Sequence, residues 1–99
     1  MDGRADLISV LTEARRLLAQ PDNEFMWSGW DDQAEALAEI DALLSQIRDV
    51  GLCDAPALTR LFLPTGAIQE VAESSGWGDA FLALATCFDA AMAELGGPA

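Results

Sequence analysis

The sequence predicts an all-α domain, an irregular bundle of three main helices plus one or two short helices. Three observations carry this. Fourteen leucines and eighteen alanines dominate the 99 residues, and both types are strong helix formers. β-branched residues, which favour strands, are few. Apolar side chains recur at helical spacing through three long stretches. The length fits a single helical domain over residues 1–99, with enough chain to build one core without disulfide or metal staples.

The first helix is expected from about Asp6 to Gln20, where Pro21 stops it. Leu7, Leu11, Ala14 and Leu18 follow the helical repeat, flanked by Ile8, Val10 and Leu17. That apolar face covers close to half the circumference, wider than the stripe of a helix touching one neighbour. The helix therefore sits between two others or helps form a dimer.

The second helix is expected from near Ser28, with "SGWD" as a variant capping box, to about Val50, with Gly51 as its C-terminal cap. Leu37, Ile40, Leu44 and Ile47 form its buried stripe, and Asp31, Asp32, Glu35, Glu39 and Asp49 occupy the opposite face within about 100° of arc. The chain then breaks up. Asp54 can cap a short helix with Pro56 in its first turn and Pro64 beyond its end, and Thr65 can cap another through Ile68 to Ala72. Residues 54–75 leave room for a short strand, although nothing there alternates cleanly enough to assign one. "SSGWGD" reads as a turn around Trp77. The last helix is expected from about Asp79 to Leu95, with Phe81, Leu84, Ala85, Phe88, Met92 and Leu95 on one face and Ala83, Ala90 and Ala93 behind it.

Charge narrows the function classes. Seventeen acids face five arginines, with no lysine or histidine, for a formal net charge of −12. Such a surface repels nucleic acid and anionic membranes and attracts basic partners. No apolar run approaches the roughly 18 residues of a membrane span, and "MDGRADLISV" has no signal-peptide pattern. Cys53 and Cys87 have no metal-binding spacing, so both are expected to pack as small hydrophobes in a reduced, cytoplasmic protein.

Catalytic chemistry has little to work with. Histidine, lysine and tyrosine are absent, which removes the commonest general bases and leaves only carboxylates and arginines to activate a Ser or Cys nucleophile. Asp31, Glu35 and Glu39 are spaced four residues apart, but no EF-hand loop or Glu-x-x-His pairing accompanies them, and "PTGAIQE" lacks the lysine of a phosphate loop. The expectation is a protein that is not an enzyme and uses no metal or cofactor.

Two features remain. One is the acidic face of the second helix, which reads as a solvated outer surface or as a docking surface for a basic protein. The other is "NEFMWSGW", residues 23 to 30, which concentrates Phe25, Trp27 and Trp30 in one loop. Those aromatics either cover the core or supply a binding hot spot. The two features adjoin, so Asp31, Asp32, Glu35, Glu39, Trp27 and Trp30 form the candidate partner-binding set. The leading expectation is a small acidic interaction domain, of the immunity or inhibitor type, that binds a basic protein partner. The alternatives are a homodimeric structural domain using the first helix, and a binder of a small apolar ligand between helices near Trp30 and Trp77.

"LFLPTGAIQEVAESSGWGDAFLALATCFDAA", residues 61 to 91, together with "EIDALL", resembles small bacterial helical proteins of unknown function. The resemblance covers about half the chain. It implies a bacterial, cytoplasmic, stand-alone domain and brings no catalytic residues with it. The absence of lysine beside abundant Ala, Gly and Arg codons also fits a GC-rich genome.

Overall fold

The computed structural model describes residues 3–25, 29–50, 55–62 and 66–96. Five helices follow one another: α1 (Gly3–Leu18), α2 (Gln33–Val50), α3 (Ala55–Phe62), α4 (Ala67–Ser75) and α5 (Gly78–Gly96). Three are long and two short, and the described residues contain no strand. The expected caps at Ser28, Gly51, Asp54 and Thr65, as well as Pro64 and Cys53, lie outside the described residues.

α1 is the centre of the bundle. It packs on α5 along one side and on α2 along the other, while α4 joins α5 to α3. This accounts for its broad apolar face: Leu7, Leu11, Ala14 and Leu18 are fully buried, and Val10 and Leu17 nearly so. Of the two readings of this face, two helical neighbours or a dimer, the chain itself supplies the two neighbours.

α1 and α2 run antiparallel and latch each other at both ends. The last carbonyls of any helix lack intrahelical partners. Arg4 donates from Nε to the Ile47 carbonyl at 3.0 Å and from Nη2 to that of Arg48 at 2.8 Å, closing the end of α2. Gln33 donates from Nε2 to the carbonyls of Leu18 at 3.0 Å and Gln20 at 2.9 Å, closing the end of α1. Between the latches, Arg15 grips the Asp41 carboxylate with two bonds of 2.6 and 3.2 Å. The Arg4 latch also gives a reason for α1 starting at Gly3, three residues ahead of the expected Asp6.

The second half closes on aromatics. Phe62 of α3 stacks on Phe88 of α5 with ring centroids 4.2 Å apart and on Phe81 at 6.3 Å. Phe81, Leu84, Phe88 and Ala91 are the buried face of α5, with Ala85 and Met92 packed at its margin. Gly76, at φ 87°, ends α4, and the Trp77 N–H reaches back to the Ala72 carbonyl at 2.9 Å, the closing bond of a Schellman turn.

Cys87 corrects an expectation. It is a free thiol and exposed, not packed as a small hydrophobe. It sits one residue off the Leu84–Phe88 buried face, beside a shallow groove between α1 and α5.

Candidate functional site

The loop between α1 and α2 carries core side chains. Phe25 and Trp30 are both buried, and both belong to the hydrophobic cluster that the helices share. Trp27 lies outside the described residues. Gly29, at φ 89°, turns the chain into Trp30 through the left-handed region that glycine enters without strain.

α2 begins at Gln33, later than the expected start near Ser28. Asp32 is the reason. Its Oδ1 accepts the Glu35 N–H at 2.9 Å, and its carbonyl accepts from Ala36 N at 3.3 Å, which makes it the N-cap. Glu35, three residues on, reaches back with Oε2 to the Asp31 N–H at 3.4 Å. The arrangement is a variant capping box four residues beyond the expected one, built from Asp32 and Glu35 in place of Ser28 and Asp31, with Glu35 reaching the N–H just ahead of the cap. It also places carboxylates in the positive first turn of the helix.

One turn further along, Glu39 meets the loop. The Trp30 indole N–H donates to Glu39 Oε1 at 3.4 Å, so a buried ring is tied to an exposed acid. Trp30, Glu35 and Glu39 line a pocket of about 470 Å³ together with Arg60 of α3 and the apolar Leu43 and Leu61. That volume falls in the range of small-ligand clefts, roughly 300–1,000 Å³.

The structure brings together three of the six candidate residues, Trp30, Glu35 and Glu39, around this pocket. Asp31 and Asp32 stand exposed beside it, with Asp32 engaged as the cap. Arg60 was not a candidate from sequence. Its only local signal is that it is the sole basic residue after Arg48. It shares the pocket lining with Glu35 and Glu39 through the tertiary placement of α3, which spacing along the chain does not encode.

The third tryptophan stands apart. Trp77 is half-buried and donates from Nε1 to Asn23 Oδ1 at 2.8 Å. It does not line the pocket beside Trp30. The two tryptophans named in the apolar-ligand alternative therefore do not share this pocket. No helix among the described residues is long and apolar enough to cross a membrane.

No protein-family model, curated protein or solved structure matches the chain. What the pocket does is therefore argued from its own chemistry.

Proposed function

We propose that the protein is a small acidic, non-enzymatic interaction domain of a bacterial cytoplasm, an immunity- or inhibitor-type binder of a basic protein. Its partner docks on the N-terminal half of α2 and the adjoining pocket. The observation that carries this reading is the pairing of exposed Glu35 and Glu39 with a preformed pocket walled by Trp30. Exposed acids in the wall of a pocket steer a basic partner in, and an aromatic neighbour gives its docking side chain a surface to pack on. The lack of histidine, lysine and tyrosine supports a non-catalytic role. A dimer through α1 is disfavoured because α2 and α5 already cover that helix.

The test is a pull-down at low and high salt, followed by titration of the retained basic protein against two double variants. Glu35→Lys with Glu39→Lys changes the pocket, and Asp89→Lys with Glu94→Lys changes the net charge equally on exposed α5 positions. The α2 pair is expected to weaken binding more and to flatten its salt dependence. Equal losses from both pairs would reduce the effect to overall charge and sink the reading.

A further inference from the structure

Arg60 is the part of the pocket that attraction to a basic partner leaves unexplained. A guanidinium in the wall of a cation-binding pocket repels the cation. Two other arginines in this chain hold carboxylates, Arg15 on Asp41 and Arg16 on Glu13, and Arg4 caps the end of α2. Arg60 lines the same pocket as Glu35 and Glu39, yet it makes no hydrogen bond or ion pair among the described residues. Its planar fork of donors, the geometry best suited to gripping a carboxylate, is unclaimed among the described residues.

The pocket therefore presents two carboxylates one helical turn apart on α2, one guanidinium on α3, and apolar lining from Leu43 and Leu61. We propose that it reads a paired charge on the partner: a C-terminal arginine or lysine with its free α-carboxylate. The basic head group meets Glu35 and Glu39, the aliphatic stem packs on the leucines, and the carboxylate is taken by Arg60. A C-terminal basic residue carries all three parts on one short stem, which suits a pocket of about 470 Å³. The inference rests on the basic-partner reading of α2 and adds the carboxylate that the reading does not require.

The charge of the whole chain makes the test discriminating. Long-range attraction to a net charge of −12 favours whichever ligand is more positive. The probes are the acetylated tetrapeptide Ala-Ala-Leu-Arg with a free carboxylate, the same peptide as its carboxamide, and the free-carboxylate peptide with norleucine in place of arginine. Titration calorimetry on the full chain is expected to show the free acid binding about tenfold tighter than the more positive amide, as one charge-assisted contact would give. The norleucine peptide is expected not to bind.

Arg60→Gln should abolish the preference and reverse the order of acid and amide, while Arg60→Lys should keep part of it. Arg60 is exposed and makes no bond among the described residues, so both variants should melt with the wild type. An amide that binds the wild type as tightly as the acid overturns this inference and leaves the basic-partner reading standing. If neither arginine peptide binds, both fall. A tighter complex with free L-arginine than with the acetylated acid overturns the C-terminal assignment in favour of the amino acid.

Discussion

The Trp77 indole donates to Asn23 Oδ1 at 2.8 Å, across 54 positions of sequence, and this bond ties the two halves of the molecule together. Asn23 also donates from Nδ2 to the Leu17 carbonyl at 2.7 Å, closing the C-terminal turn of α1. The adjacent Glu24 N–H bonds to Ser75 Oγ at 2.9 Å. One short segment after α1 is thus clamped to the corner between α4 and α5. The loop leaves that clamp to bury Phe25, and Trp30 is buried where the loop meets α2.

Replacing Asn23 by alanine removes an acceptor from one part-buried group and a donor from another. The expected cost is about 1–3 kcal/mol. Asn23→Asp keeps the acceptor for Trp77 and loses the donor to Leu17, so it should fall between alanine and wild type. Urea unfolding is the measurement: the midpoint should fall while the slope stays unchanged. A wild-type midpoint for the alanine variant would show that the clamp holds nothing.

How much of this was legible in the sequence depends on the range of the interaction. α1, α5 and the two short helices follow from periodicity and from Pro and Gly punctuation, which are local. The width of the α1 face left open two helical neighbours or a dimer, and the fold supplies two neighbours inside the chain. The start of α2 was misread because Ser28 and Asp32 both precede an apolar repeat and both are good caps. Gly29 in a left-handed conformation and the Asp32–Glu35 bond decide between them, and neither is visible in a string of letters. Glu35 and Glu39 were legible as a pair because α2 is one helix. The exposure of Cys87 was legible too, one residue off the face of Leu84 and Phe88, whereas the place of Arg60 at the pocket depends on tertiary packing that no local rule encodes.

Leu11 and Leu82 separate burial from mere hydrophobicity. Leu11 has no exposed surface, at the middle of α1 between α2 and α5, whereas Leu82 on α5 is 60% exposed. Leu11→Ala should cost about 2–5 kcal/mol, as truncations in closed cores do. Leu11→Glu should unfold the chain instead of splitting a dimer, because it buries a carboxylate among apolar side chains. Leu82→Ser should stay within about 0.5 kcal/mol of wild type. Thermal melts followed by circular dichroism would rank the three. A folded Leu11→Glu variant would contradict the central place of α1.

Acid should loosen the α1–α2 pair in a predictable window. The Arg15 guanidinium, bonded to Asp41, holds that carboxyl below its ordinary value. Since the folded value is the lower one, the pair's contribution is complete above the unfolded aspartate value of about 3.9. It is lost as pH falls through the folded value. Glu13 is lowered in the same direction by its bond to Arg16. Asp41→Asn should therefore be less stable at neutral pH than Asp89→Asn, which removes the same charge from an exposed position. The gap should close as pH falls below the carboxylate range, and it should narrow in high salt because the pair is solvent-exposed. A gap that persists unchanged into strong acid would mean that Asp41 acts through something other than its charge.

The acids of α2 should divide by role, though they look alike in sequence. Asp32 caps the helix through its side chain, so Asp32→Ala should cost about 0.5–2 kcal/mol of stability, and Asp32→Asn, an equally good cap, should cost little. Glu39 accepts only a long bond from Trp30, at 3.4 Å, and stands exposed at the pocket. Glu39→Gln keeps an acceptor for the indole, so it should leave stability near wild type while weakening binding of a basic ligand. Denaturation and titration on the same three variants would read both properties. Asp32→Asn is the informative one: it retains the fold and deletes a charge beside the pocket but outside its lining. If it weakens binding as much as Glu39→Gln, the acids act as a diffuse field. If Glu39→Gln alone weakens it, the partner is held where Trp30, Glu35, Glu39 and Arg60 converge.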